Sequence, residues 1–222
     1  MTMTRTSLLT IVSLTVFPLS APAQTSEHRD YQVLVNGKDA GSSRITIDDD
    51  KAGADKIVTV KVVAAVKFIH LFVPFSFSNE TNEVWQHNKL VSISADSVEN
   101  GTRTKVAGKA DANGLVISVN GAPRALATEI WTSSFWKLPD AKFHNNKVPI
   151  FEPDTGNEMT GTLTFVGKEK LVAAGKAIDC LRFRLTGIPN PTELWYDQHH
   201  RLVRQQFTER GQTTIVQLVR VK

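Results

Sequence analysis

Cysteine is almost absent. The 222-residue chain carries one, Cys180, so no internal disulfide can form and a hydrophobic core must hold the fold. Cys180 stands in an alternating strand pattern without a basic or histidine neighbour, which favours a small buried hydrophobe over a nucleophile. Histidine is sparse too. None of His28, His70, His87, His144, His199 and His200 stands in H-x-x-x-H or H-E-x-x-H spacing, so no metal centre is expected. Ser133 and Ser134 lack the G-x-S-x-G frame of a nucleophile elbow. Asp48-Asp49-Asp50 with Gly53 begins like a calcium loop, but Ala52 and Thr59 stand where two ligands are needed, leaving a polar turn. No long block of like charge is present and the net charge is a mild +4, so nucleic acid is not an expected partner. The sequence implies no cofactor, and an enzyme is the less favoured reading.

What is present begins with an export pattern. Arg5, the apolar run from Leu8 to Leu19 and the small-x-small site Ala21-Pro22-Ala23 predict a secretory signal over residues 1–23. The expected localisation is periplasmic or secreted. The run is shorter than the roughly twenty residues a spanning helix needs, and no later stretch reaches that length, so a soluble mature chain is expected.

Residues 24–222 read as a single all-β domain. Asn-Gly, the pair suited to the two positive-φ positions of a type I′ hairpin turn, occurs at Asn36-Gly37, Asn100-Gly101, Asn113-Gly114 and Asn120-Gly121. Alternating or β-branched segments flank each pair. No segment of ten or more residues after the signal keeps a 3.6 period. Glu83-Val84-Trp85 recurs as Glu193-Leu194-Trp195, and Glu99 to Val106 as Glu209 to Val216, both offset by 110 residues. This predicts two meander pseudo-repeats, about 30–121 and 158–222, in a curved antiparallel sheet of about ten to twelve strands, a half-barrel or open barrel.

Two unrepeated stretches hold the apolar excess. Val66 to Phe77 reads as one extended strand with Ile69, Leu71, Val73, Phe75 and Phe77 on one face and Phe68 and Phe72 on the other. It is either a strand buried on both sides or the wall of an apolar pocket, with a membrane-touching edge as a further form. The connector, about 122–157, carries Pro123, Pro139, Pro149 and Pro153, so it is poor central-strand material. It also holds Trp131, Phe135 and Trp136, and is expected to pack on the concave side as a plug or a lid, with a short helical turn near Ser133 to Lys137. The candidate ligand-binding residues are therefore Trp131, Phe135, Trp136, Phe72, Phe75, Phe77, Trp85 and Trp195. Glu83 and Glu193 admit a paired-carboxylate reading, against which each is the polar partner of its own tryptophan.

Taken in order, Tyr31-x-Val33-x-Val35-x-Gly37-Lys38-x-x-Gly41, Glu83-x-Trp85 with Leu90-Val91, Trp131 to Pro139, Asp154-Thr155-Gly156 with Gly161-Thr162-Leu163, and Glu193 to Asp197 with Leu202-Val203 carry a resemblance. The set resembles a family of bacterial exported proteins, domain of unknown function 6134, across nearly the whole mature chain. The resemblance implies no activity and no catalytic residues. More loosely, the chain is similar to exported β-rich families whose half-barrels hold lipid or acyl chains, a likeness of architecture alone. The expected function is non-catalytic binding of an apolar ligand, a lipid or acyl chain, in the cell envelope. The alternatives are an envelope interaction or scaffold module and, last, a hydrolase using Glu83, Glu193 or a histidine.

Overall fold

A computed structural model describes residues 25–50, 56–112, 114–127, 129–209 and 211–222. The expected signal over 1–23, Gly53 of the acidic turn and Asn113 of one Asn-Gly pair lie outside the described residues. Fifteen strands follow in chain order: β1 (Thr25–Val35), β2 (Lys38–Asp50), β3 (Ile57–His70), β4 (Val73–Gln86), β5 (Lys89–Glu99), β6 (Thr102–Asp111), β7 (Gly114–Val119), β8 (Ala122–Leu126), β9 (Trp131–Thr132), β10 (Asn146–Glu152), β11 (Asn157–Ala173), β12 (Lys176–Thr186), β13 (Thr192–Tyr196), β14 (Leu202–Glu209) and β15 (Gln212–Val221). One 3-10 turn, Ala141–Phe143, follows β9.

All fifteen strands belong to one sheet, in the order β8 through β1, then β15 down through β9. Every neighbouring pair is antiparallel except β9 with β10. The sheet is an open, curved barrel-like wall. The first and last strands pair at its middle, Val33 opposite Val216 and Val35 opposite Thr214. Its edges, β8 and β9, come from adjacent parts of the chain and are short, and β8 carries Pro123, as suits protected edges. Register shifts in β1, β4, β11 and β13 bend the wall.

Two expectations change here. The strand count exceeds ten to twelve because the proline-bearing connector contributes β8, β9 and β10, its prolines falling on or near the sheet edge. The stretch 66–77 is not one strand. It folds back at Leu71-Phe72, so β3 and β4 form a hairpin with Phe68 opposite Phe75 and His70 opposite Val73. Both turn residues take positive φ, 46° and 69°. The alternation that suggested one continuous face is therefore split across two paired strands.

The core fills the concave side. Tyr31, Ile45, Val60, Trp85, Ile93, Ile117, Phe151, Phe183, Leu185, Leu194 and Tyr196 meet in one buried cluster with the connector residues Trp131, Phe135, Trp136 and Leu138. The connector loop is pinned on several sides. Ser133 N donates to Phe151 O at 2.9 Å, Tyr196 Oη donates to Phe135 O at 3.2 Å, Leu138 N donates to His200 O at 3.1 Å, and Arg29 Nη1 donates to Trp136 O. Among the described residues, no helix is long and apolar enough to cross a membrane.

Candidate functional site

The barrel is not filled throughout. Above the aromatic plug lies a cavity of about 420 Å³, within the size range of small-molecule pockets, roughly 300–1,000 Å³. Strand alternation builds its wall. Val33 and Val35 of β1, Val62, Ala64, Val66 and Phe68 of β3, Phe75 and Phe77 of β4, Phe207 of β14 and Val216 of β15 all line it. Each set steps by two along its strand, so one face of each pleat supplies an aliphatic or aromatic surface. Asn79, Thr81, Ser133 and Ser134 supply neutral hydrogen-bonding groups at the same cavity.

Behind Thr81 on the same face of β4 sits Glu83, fully buried. Its Oε2 accepts from Trp85 Nε1 at 2.8 Å and from Thr132 Oγ1 at 3.1 Å, and Thr132 in turn bonds Ser134 Oγ at 2.8 Å. Glu83 Oε1 and the indole Nε1 of Trp136 are each buried without a hydrogen-bond partner among the described residues. Burial pushes the Glu83 carboxyl up from 4.5 to about 7, with the Trp85, Ser134 and Thr132 hydrogen bonds and the Lys137 charge opposing it. Lys137 Nζ lies 4.9 Å from the centre of the Trp136 ring and 5.6 Å from that of Trp85, and donates to Asn88 Oδ1 at 2.8 Å. Among the described residues no histidine hydrogen-bonds to this group, and the Ser134–Thr132–Glu83 chain ends on the Glu83 carboxyl.

The mouth opens at the end of the sheet that carries the Asn36-Gly37, Leu71-Phe72 and Asn100-Gly101 turns. Glu99, Asp154 and Glu209 come to it from three different strand ends. Burial raises the Asp154 carboxyl, and the charges of Glu99 and Glu209 raise it further. Glu152, one turn away, is raised by burial and then by Asp154 and Glu209. The mouth is thus a region of negative potential over an apolar interior.

The residues singled out in the sequence fall into three groups. Phe75 and Phe77 are on the cavity wall. Trp131, Phe135, Trp136 and Trp85 are buried in the plug and the core beneath it, with Trp131 and Phe135 edge to face at 4.6 Å and Trp85 and Trp136 at 6.1 Å. Phe72 is in water, 98% exposed at the hairpin tip. Trp195 is also buried, 4% exposed, within the hydrophobic cluster but on the strand face opposite Leu194 and Tyr196. It points to the outer side of the sheet under Arg182 and Arg204, whose guanidinium carbons lie 5.1 and 5.7 Å from its ring, and its Nε1 donates to Glu169 at 2.9 Å.

The paired-carboxylate reading fails on faces. Glu83 points inward, whereas Glu193 is held on the outer side by Arg182 at 2.9 Å and by Arg184. A sheet lies between them, so they cannot flank one bond. Cys180 is buried, its thiol pushed up to about 11 by burial. His28, His87, His199 and His200 are exposed, and no group of three His, Cys, Asp or Glu that could hold a metal ion occurs among the described residues. Sequence reasoning missed the cavity residues of β1, β14 and β15. Each lies in an ordinary alternating strand, and only the pairing of β1 with β15 brings them together.

A family model described as a domain of unknown function, DUF6134, matches residues 31–219. Among solved structures, a β-barrel-like protein of another domain of unknown function, DUF1849, from Brucella abortus is similar in fold. The TM-score is 0.62 at 7% identity, covering 89% of this chain and 97% of that one. No curated protein matches.

Proposed function

The chain belongs to the DUF6134 family, and we propose that it is an exported, non-catalytic β protein that binds an apolar ligand, a lipid or acyl chain, in the cell envelope. The observation that carries this reading is the cavity of about 420 Å³, walled by Val33, Val62, Val66, Phe75, Phe77 and Val216 and open at one end. Apolar burial drives binding at about 25 cal/mol per Å². The neutral groups of Asn79, Thr81, Ser133 and Ser134 fix the orientation of a polar atom on the ligand. The plug makes the cavity blind, so ligand enters and leaves by the mouth. The export pattern of residues 1–23 supplies the envelope part of the reading. An interaction or scaffold module needs no internal cavity, so the cavity weighs against that alternative.

The test is to purify the protein from its host without detergent, extract it with organic solvent and identify co-purifying species by mass spectrometry. Recovery of an acyl-chain compound near one per protein is the expected result. An extract empty of such compounds, together with no binding of added alkyl-chain amphiphiles, overturns the reading.

A further inference from the structure

The β3–β4 hairpin does more than line the cavity. Beyond Val66, β3 has lost β2 as a neighbour, and the last tie of β4 to the β5 side is Ser76, whose O accepts from Asn100 N at 2.8 Å and whose N donates to Asn100 Oδ1 at 2.9 Å. Residues 67–75 therefore stand out from the wall as a two-stranded ribbon, extending roughly 13 Å by the rise of a strand. Its base carries Phe68 against Phe75, ring centres 4.8 Å apart and planes tilted by 31°, and both residues line the cavity. Its tip carries Ile69, Leu71, Phe72 and Val73, which are 75, 77, 98 and 65% exposed.

The turn chemistry sets this hairpin apart. At the same end of the sheet the Asn36-Gly37, Asn100-Gly101 and Asn120-Gly121 turns have φ of 50° and 76°, 48° and 85°, and 49° and 91°. Leu71-Phe72 takes the same conformation, at 46° and 69°, with two bulky side chains for which it is strained. Local folding favours Asn-Gly there, and the chain instead carries the two side chains that expose the most apolar surface.

We propose that this tip inserts into the surface of a lipid bilayer and sets the cavity mouth against it; this rests on the apolar-ligand reading above. Three observations favour a bilayer over a protein groove. The apolar side chains lie on both faces of the ribbon, since Val73 faces the cavity side and Ile69 the other, and a bilayer surrounds a tip where a groove covers one face. The ribbon's unladdered backbone edges cannot enter hydrocarbon, so insertion stops at the turn, the depth at which these four side chains are submerged. The strip from tip to cavity is continuous, Leu71 and Phe72 leading to Val73 and Pro74 and then to Phe68 and Phe75, so an acyl chain leaving the bilayer need not cross water.

The experiment uses the mature protein, a Leu71→Asn, Phe72→Gly double variant, and flotation with vesicles of phosphatidylcholine alone or mixed with phosphatidylglycerol. The wild type floats with both, and raised salt does not release it. The variant binds at least about tenfold more weakly, melts no lower than the wild type because it gains the favoured turn residues, and binds a micelle-free alkyl-chain amphiphile in the cavity as the wild type does. Equal flotation of variant and wild type overturns the proposal, as does a wild type that floats with neither vesicle. Binding confined to phosphatidylglycerol and abolished by salt assigns the attachment to surface charge instead. Concentration-dependent self-association lost in the variant assigns the tip to a second copy of the chain. If the amphiphile binds neither protein while both vesicle results stand, the cavity reading fails and the tip does not.

Discussion

Glu83 and Trp85, two residues apart on β4, point into the same core and share a hydrogen bond, Trp85 Nε1 donating to Glu83 Oε2 at 2.8 Å. Their counterparts in sequence, Glu193 and Trp195, point to the opposite side of the sheet and are held there by arginines. The same tripeptide pattern therefore yields a buried carboxyl in one place and an outer ion pair in the other.

That difference has a sign in pH. Unfolded, Glu83 ionises near 4.5; folded, burial keeps its proton to about 7. Between those values the folded state binds the extra proton, so the contribution to stability is full below 4.5 and falls as pH rises, by roughly 3 kcal/mol across the window. Glu83→Gln has no such proton. Denaturant unfolding from pH 4.5 to 8 should show the wild type losing stability relative to Glu83→Gln as pH rises. Parallel curves would show that the carboxyl is ionised throughout.

Glu193 should behave in the opposite sense. Burial works against its charged form, but hydrogen bonds from Arg184 and Arg182 outweigh that and hold its carboxyl below the usual value. Its contribution is present above the unfolded pKa near 4.5 and is lost as pH falls through the lower folded one. Glu193→Gln should therefore flatten the acid side of the stability curve and leave the slope between pH 5 and 7 as in the wild type. A changed slope in that neutral window would place Glu193 in the wrong environment.

Much of the wall was legible in the sequence because its turns have a steric requirement. Asn36-Gly37, Asn100-Gly101 and Asn120-Gly121 mark sites where two successive residues need positive φ, and each is a hairpin turn in the structure. Leu71-Phe72 gave no such mark, since neither residue favours the conformation it adopts, and the apolar alternation ran on through the turn. The aromatic connector was legible as packed material but not as the floor of a cavity. Its tryptophans turn down into the core while Ser133 and Ser134 reach the open space. The face of Glu193 was illegible for a different reason: strand periodicity fixes which residues share a face, not which face is inside.

Gly41 should tolerate no side chain. Its φ is +145°, and a Cβ there would stand 2.0 Å from Ala65 O across the β2–β3 ladder. Relief requires the two strands to part beside the cavity wall. Gly41→Ala should cost at least about 2 kcal/mol. Gly37→Ala, at φ +76° with nothing within 4 Å of the added carbon, should cost about 1 kcal/mol. Equilibrium unfolding of both variants checks the ranking, and equal losses would contradict the close approach at Gly41.

Ala64 is the place to fill the cavity. It lies half-buried on the β3 wall between Val62 and Val66, with Ser43 and Asn79 as its strand partners, and its methyl faces the open space. Ala64→Trp puts a ring where ligand would lie without displacing a core side chain. Affinity for an alkyl-chain amphiphile should fall more than about tenfold while the melting temperature holds or rises, because the added surface is buried in a void. Unchanged affinity in a folded variant would move the binding site elsewhere.

The charge at the mouth should select among amphiphiles of equal chain length. Each methylene entering the cavity contributes about 0.8 kcal/mol, close to fourfold in affinity, until the space is full. The head group at the opening meets Glu99, Asp154 and Glu209; burial raises the Asp154 carboxyl, and the charges of the other two add to that. An alkyl sulfate should therefore bind more weakly than an alkyl glucoside of the same length, and an alkyl trimethylammonium more tightly, with the spread shrinking as salt rises. Asp154→Asn should narrow the spread and leave the gain per methylene unchanged, because the one acts at the mouth and the other along the wall. Titration calorimetry below the critical micelle concentration measures both. Anionic and cationic heads binding alike at low salt would mean that the head group lies deep, among Asn79, Thr81, Ser133 and Ser134, with the tail pointing out along Phe68 and Phe75 toward the hairpin tip.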